Sequence, residues 1–188
     1  MGAARALARG GWKAVSLQEI ADEVGFTAPA LYAYFESKEA ILAELMRTLG
    51  RELEETFALA PPPGASFRHK VALLLRRQLE WADRRREVFA AFFSLKMRGE
   101  FQALREARGK QQFGGPEVHL RRLTAWVEAA ADRPGDLAGH DPAEAASVLM
   151  GIVHGFFLRW ITDPRQRLAD VTDTILDFYF HGLLGPRP

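Results

Sequence analysis

The stretch of residues 15–39, VSLQEIADEVGFTAPALYAYFESKE, constrains the fold of this chain more than any other part of it. Ser16 followed three residues later by Glu19 is a capping box, which predicts that a helix begins at this point. Apolar residues then recur at helical spacing, at Leu17, Ile20, Ala21 and Val24. Gly25 follows the last of them, where a helix end favours a residue that tolerates a left-handed backbone.

A second helix is predicted directly after this glycine. Thr27 can cap it, and Pro29 falls in its first turn, where a missing N–H costs nothing. Ser37 then caps a third helix that opens with Lys38. Two short helices joined by a glycine-containing turn form a helix-turn-helix, and the second helix of that motif enters the DNA major groove.

This segment resembles the DNA-binding signature of the TetR family of bacterial transcriptional regulators. The usual family pattern is matched in register at Ser16, Ile20, Ala21, Gly25, Thr27, Leu31, Tyr32, Phe35, Lys38 and Leu42. Phe26 replaces the commoner valine, and Tyr34 stands where histidine is frequent. The resemblance covers about the first quarter of the chain.

The resemblance implies an all-α protein with two parts. Residues 1–46 would form a three-helix helix-turn-helix head, and residues 47–188 a helical body for effector binding and dimerisation. The implied function is that of a repressor that binds a palindromic operator on double-stranded DNA and is released by a small-molecule effector. A helical small-molecule-binding or interaction protein without DNA-binding activity is the alternative.

Composition and the absence of several motifs argue against other classes of protein. A hydrophobic content of 48% and a charged content of 26% are ordinary for a globular protein, and there are no cysteines to form disulfides or thiolate sites. No signal peptide and no apolar run long enough for a membrane span are found, so a cytoplasmic protein without a membrane partner is expected. The five histidines show no paired metal spacing, and no nucleotide-binding or nucleophile motif is present. Neither a metal, nor a cofactor, nor an enzymatic activity is therefore expected.

The charge pattern limits how this chain could bind DNA. The net charge is +1, and the second helix, residues 27–35, contains no charged residue, which excludes the common contact of arginine with guanine. Hydroxyl groups and backbone N–H groups can still bind phosphates. From the register of the motif, the predicted DNA contacts are Ser16, Thr27, Ala28, Pro29, Tyr32, Tyr34 and Lys38.

The remainder of the chain is predicted to be helical. A long helix from Lys38 to about Leu59 contains the boundary between head and body, and the prolines at 61–63 end it. Further helices are predicted over residues 67–83, 87–97, 98–115, 116–131, 142–161 and about 168–182. Residues 3–9 are predicted to end a first helix, and Trp12 and Val15 to pack in the small core of the head.

The segment Ala145–Leu158 contains no formally charged residue. A helix that is apolar all round has to be buried on every side. It is either the central helix of a monomeric core or a helix shared between a core and a second copy of the chain. Resemblance to the TetR family favours a homodimer through the last two long helices, with Gly151, Gly155, Ile175 and Tyr179 as predicted interface residues.

The effector is predicted to be apolar and to bind between helices of the body. Large aromatic residues lie on several of these helices, whereas few charges are placed to pair with an ionic ligand. Each aromatic residue could equally be plain core. The predicted effector-binding residues are Trp81, Phe92, Phe93, Met97, Trp126 and His154, with His154 as the polar group that orients the ligand.

Overall fold

The computed structural model describes residues 16–58, 60–97 and 116–184. Three predictions fall outside these residues: the end of a first helix at 3–9, the packing of Trp12 and Val15, and the helix at 98–115. The side chains of Phe92 and Met97 are also outside the description, although both residues belong to a described helix.

The described residues are helical and contain no β-strand, so the prediction of an all-α fold is confirmed. We number the α-helices in chain order. They are α1 (Leu17–Val24), α2 (Ala28–Tyr34), α3 (Lys38–Phe57), α4 (Phe67–Arg84), α5 (Arg86–Met97), α6 (Pro116–Ala130), α7 (Pro142–Thr162) and α8 (Thr172–Leu184). A short 3-10 helix, Leu168–Val171, directly precedes α8.

Local hydrogen bonds explain where the first helices begin and end. The Ser16 N–H donates to the Glu19 carboxylate at 2.7 Å and the Glu19 N–H donates to the Ser16 hydroxyl at 3.2 Å, which completes the capping box. Gly25 ends α1 with φ of 72°, a left-handed conformation that glycine adopts without strain. Thr27 caps α2, and the Ser37 hydroxyl accepts from the Ala40 N–H at the start of α3.

The last predicted helix is divided in two. Sequence periodicity predicted one helix from about Leu168, but the chain first forms the 3-10 turn and only then α8. The carboxylate of Asp83, at the end of α4, accepts hydrogen bonds from the N–H groups of Leu168 and Ala169 at 2.8 and 3.0 Å. These long-range bonds fix the start of the 3-10 turn, and a local sequence pattern carries no information about them.

The described chain forms two compact units. The first comprises the described residues of 16–51 and 85–97, and the second those of 52–84 and 116–184. Helix α3 therefore begins in one unit and ends in the other. Buried apolar side chains of the first unit are Leu17, Ile20, Ala21, Ala28, Leu31, Ile41, Leu42, Leu49, Val88 and Ala91.

The second unit has its core where α4, α7, α8 and the 3-10 turn meet, and α6 packs along α7. Phe67 of α4 and Phe180 of α8 form an edge-to-face pair with ring centroids 5.9 Å apart. The buried ammonium group of Lys70 donates to the carbonyl of Ala130 at 2.9 Å and pairs with Asp132 at 2.8 Å, which ties α4 to the end of α6. This charge is therefore neutralised within the unit.

Candidate nucleic-acid interface and effector region

Helix α2 turns one face into its unit and the other to solvent. Ala28 and Leu31 are buried, whereas Thr27, Pro29, Tyr32 and Tyr34 are exposed. Of the seven residues predicted to contact DNA, Ala28 is thus the one whose side chain faces the core, because α2 packs against α1 on that side. The exposed face presents hydroxyl groups and aromatic rings and no charged group.

Ser16 is exposed, but Glu19 occupies its hydrogen-bonding groups. The Glu19 carboxylate accepts from both the N–H and the hydroxyl of Ser16, at 2.7 and 3.0 Å. These hydrogen bonds hold the pKa of Glu19 below its usual value, so the carboxylate is charged at neutral pH. A DNA phosphate would have to displace this carboxylate to reach Ser16, whose established role is to cap α1.

Three aromatic side chains project from the surface around α2. Tyr34 is 79% exposed, and Tyr32 and Phe26 are each 56% exposed. The two tyrosines were predicted as DNA contacts, whereas Phe26 was not, although its departure from the valine common in the TetR pattern marked it in the sequence. Exposure of such large rings to water is unfavourable, so a complex in which a partner covers them would be stabilised by their burial.

Lys38 opens α3 directly after the cap Ser37, and it is partly exposed. It is the only basic residue between positions 16 and 46. A cation at a helix start, where N–H groups also point outwards, suits a phosphate group.

The far end of α3 is bound to α4 and α6 within the second unit. The Trp81 indole N–H donates to the Glu52 carboxylate at 2.9 Å, and the Gln78 amide donates to the Thr56 hydroxyl at 3.3 Å. Arg122 of α6 forms an ion pair with Glu54. The helix that follows α2 in the chain is therefore held at its other end by side chains of the second unit.

His119 of α6 adds a ring contact to this end of α3. Its imidazole lies 5.8 Å from the Phe57 ring, between centroids, and its buried Nδ1 has no hydrogen-bond partner in the described part of the chain. Desolvation, and secondarily repulsion from His154, lower the pKa of His119 below its usual value. The neutral imidazole is consequently favoured at neutral pH.

The six residues predicted to bind the effector are divided between the two units. Phe92, Phe93 and Met97 lie on α5 in the first unit, and Trp81, Trp126 and His154 lie in the second. Trp81 is buried, Trp126 is half-buried and His154 is exposed. Among the described histidines of the second unit, His119 is the half-buried one, whereas His154 is exposed. His119 precedes Leu123 by four residues and Trp126 by seven, so the three side chains share one face of α6. This spacing was the sequence signal that could have identified His119 as part of the packed face.

The predicted interface residues lie in two different settings. Gly151 and Gly155 of α7 are exposed, together with the apolar side chains of Val148 and Leu158. Helix α7 is therefore not enclosed as the central helix of a monomeric core would be.

On α8, by contrast, both predicted residues are inside. Ile175 and Tyr179 are fully buried in the core of the single chain, because that face of α8 packs on α4 and α7. Phe178, which is 63% exposed, is the apolar side chain that α8 presents to solvent.

Helix α7 is also the one helix of the described residues that is long and apolar enough to cross a membrane. Only 22% of its most apolar stretch is buried within the chain. Length and composition alone are weak support for a membrane span, since helices in the core of a soluble protein meet the same criteria. No cluster of potential metal ligands occurs among the described residues.

Comparison with known proteins identifies both the sequence motif and the fold. Residues 2–45 match the family of bacterial regulatory proteins, tetR family. None of the curated proteins compared with the chain is similar to it in sequence.

Several solved structures share the fold. A TetR-like transcriptional regulator from Rhodococcus sp. RHA1 is 20% identical, with a TM-score of 0.71 over 98% of this chain and 92% of its own. The fatty acid degradation regulator FadR from Bacillus halodurans is 15% identical, with a TM-score of 0.72 over 99% of this chain and 94% of its own. FadR from Bacillus subtilis, solved in complex with stearoyl-CoA, is 18% identical, with a TM-score of 0.67 over 96% and 95% of the two chains.

Proposed function

We propose that this chain is a TetR-like, effector-responsive, operator-binding transcriptional regulator that acts as a repressor, because residues 2–45 match the tetR family of bacterial regulatory proteins and the fold is shared with a TetR-like regulator. The observation that carries the proposal is helix α3. It begins at Lys38, shortly after α2 ends at Tyr34, and its last turns are bound by side chains of the second unit. The protein would act in the cytoplasm, where its DNA is, and would not be an enzyme.

The operator would be bound through the exposed residues of the helix-turn-helix. Thr27, Pro29, Tyr32 and Tyr34 would face the major groove, and Lys38 would pair with a phosphate. Ser16 would contribute by capping α1, and Ala28 by packing α2 against it. The boundary between head and body is proposed at residues 46 and 47, within α3.

The effector would be predominantly apolar and would bind in the body. Support comes from two basic residues of this unit that already have acidic partners, because Lys70 pairs with Asp132 and Arg122 with Glu54. An anionic ligand that binds to Lys70 or Arg122 would have to break one of these pairs. The long acyl chain of stearoyl-CoA, which is bound to the structurally similar Bacillus subtilis FadR, is an example of such an apolar ligand portion.

Release from the operator would follow from movement of α3. An effector that displaces α6 would shift the contacts of Arg122 and His119 with the last turns of α3. In a homodimer this shift would change the distance between the two heads from the roughly 34–36 Å that one turn of DNA requires. The effector could change operator affinity only by its differential affinity for the two arrangements.

A gel-shift assay with DNA from the protein's own upstream region tests the operator-binding function. The unmodified protein is expected to shift this DNA, and the shift should weaken as salt increases. The double variant Tyr32→Ala, Lys38→Ala should abolish the shift while its circular dichroism stays unchanged. The matched control is Leu73→Ala, because Leu73 is another exposed apolar residue but lies on α4. Full affinity in the double variant would contradict the assignment, and absence of any shift would favour a helical binding protein without DNA-binding activity.

A fluorescence titration with two panels of compounds tests the effector. Planar or long-chain apolar compounds are expected to quench tryptophan emission and to release operator DNA. Small anions without an apolar portion should do neither. Trp126→Ala should weaken the response to the effector while sparing operator binding by the free protein. A response only to the small anions would contradict an apolar effector.

A further inference from the structure

The exposed face of α2 lacks the side chains that recognise bases by paired hydrogen bonds. Residues 27–35 contain no Arg, Lys, Asn, Gln, Asp or Glu. Bidentate contacts to guanine or adenine, and acceptance from cytosine, depend on those residue types. The Thr27 hydroxyl is partly engaged, since it accepts from the Ala30 N–H at 3.4 Å. Base recognition by α2 therefore has to rely largely on apolar contact.

Apolar surface is concentrated at this place. Eight large hydrophobic side chains are exposed among the described residues, and four of them lie between Val24 and Tyr34. Three of these four are the aromatic residues Phe26, Tyr32 and Tyr34. Phe26 differs from the tyrosines in having no hydroxyl group, so it has no hydrogen bond to offer to a phosphate or to water.

Phe26 lies directly before the N-terminal end of α2. Its N–H donates to the Ala21 carbonyl at 2.9 Å, and the left-handed Gly25 precedes it. Phe26 is followed directly by Thr27, the cap of α2. In a helix-turn-helix, the N-terminal residues of the second helix contact the base edges.

The major groove presents one apolar group, the C5-methyl group of thymine. We propose that Phe26 is a base-contacting residue and that, with the rings of Tyr32 and Tyr34, it selects an operator through thymine methyl groups. This inference rests on the operator-binding function proposed above. It adds a residue to the interface and a chemical rule for the sequence that the interface recognises.

The acidic character of the head makes apolar contacts with the bases more important for DNA binding. Residues 1–46 carry six acidic and four basic side chains, so their formal charge is −2. Neutralisation of phosphates by basic side chains normally supplies much of the affinity for DNA. Within residues 16–46, where Lys38 is the only basic residue, apolar contacts at the bases therefore have to supply a larger share of the affinity.

The experiment replaces single thymines by deoxyuridine, which removes the methyl group and leaves the hydrogen-bonding pattern intact. An operator is first selected from random DNA with the full-length protein. Each thymine of one half-site is then replaced in turn, and the dissociation constant is measured for the unmodified protein, Phe26→Ala, Phe26→Leu and the control Leu73→Ala. Removal of a methyl group that Phe26 covers should weaken binding about fourfold, from roughly 0.8 kcal/mol per buried apolar carbon.

The expected result is a loss at one or two thymines for the unmodified protein, Phe26→Leu and Leu73→Ala, and none at those thymines for Phe26→Ala. Equal losses for the unmodified protein and Phe26→Ala would overturn the assignment to Phe26. If no thymine replacement weakened binding, recognition of methyl groups would be overturned. The proposal that the protein binds an operator would not be affected by that result. Failure to select any operator would instead contradict the proposed function.

Discussion

The half-buried imidazole of His119 makes the stability of the body depend on pH in a direction that can be worked out. Unfolded histidine titrates near pH 6.5, whereas desolvation and repulsion from His154 lower the pKa of His119 in the folded chain. Below about pH 6.5 the unfolded state therefore binds a proton that the folded state resists. The contribution of His119 to stability is complete above this pH and is lost as the pH falls toward the lowered pKa.

His119→Phe should remove this acid sensitivity and retain a ring beside Phe57. The fall in melting temperature between pH 7 and pH 5 should be smaller for His119→Phe than for the unmodified protein. His69→Phe, at an exposed histidine of α4, is the control and should not change the fall. Identical pH dependence in all three proteins would show that His119 is not protonated on unfolding over this range.

Tyr179 offers a second test at a single atom. Its ring is fully buried, its hydroxyl has no hydrogen-bond partner among the described residues, and burial raises its pKa to about 12. Tyr179→Phe removes the unpaired hydroxyl and should increase the free energy of unfolding by about 1 kcal/mol. Tyr179→Ala should lower it by roughly 3–5 kcal/mol, as for other large buried aromatic residues. Urea unfolding measures both, and a clear loss in Tyr179→Phe would reveal a partner for the hydroxyl.

The residues that the sequence predicted well are those that act locally. Ser16, Gly25 and Thr27 were assigned as caps because capping depends on neighbours within a few positions. His154 and Ile175 were assigned by their place in a helical pattern. The pattern shows which residues share a face, but which face meets a neighbouring helix depends on packing between distant segments. For this reason His154 lies outside, and Ile175 lies in the core of its own chain.

At the scale of the helices, the carboxylate of Asp83 connects three helical segments by hydrogen bonds. Its carboxylate accepts from the Trp160 indole N–H at 2.8 Å as well as from the N–H groups of Leu168 and Ala169. It thereby joins the end of α4 to the end of α7 and to the 3-10 turn before α8. The sequence predicted each of these helices but not their junction, because the partners of Asp83 are about 80 residues away.

Asp83→Ala should leave these three donors without their acceptor. The expected loss in the free energy of unfolding is roughly 2–4 kcal/mol, since each buried donor left unpaired costs about 1–3 kcal/mol and water compensates in part. Asp83→Asn keeps an acceptor oxygen and should lose less. Asp136→Ala, at an exposed loop carboxylate that accepts one N–H from Arg133, is the control. A loss in Asp83→Ala no larger than in the control would contradict the role of this junction.

For the whole molecule, the exposed surface of α7 and α8 favours a homodimer. Val148, Leu158 and Phe178 are exposed to between 49% and 63%, although all three are large and apolar. Gly151 and Gly155 lie on α7 four residues apart, where a second backbone could approach closely. The sequence left a monomeric core and a dimer interface as alternatives for this helix, and only the folded chain shows how much of it is left uncovered.

Gly155→Arg tests the dimer without disturbing the single chain. Gly155 is exposed and a Cβ atom built there meets nothing within 4 Å, so a side chain can begin at this position without a clash in the folded monomer, whereas a second chain packed at this point would collide with an arginine. The unmodified protein is expected to sediment as a dimer at micromolar concentration and the variant as a monomer of unchanged helical content. Because two linked heads bind a palindrome far more tightly than one, the affinity of the variant for a selected operator should fall by about two or more orders of magnitude.

Ala129→Arg places the same charge on an exposed position of α6 and should stay dimeric with full operator affinity. A Gly155→Arg protein that remains dimeric would show that the interface lies elsewhere on the molecule. An unmodified protein that sediments as a monomer would contradict dimerisation itself. In that case the spacing of two heads could not be the quantity that the effector changes, and release from DNA would have to act within a single head.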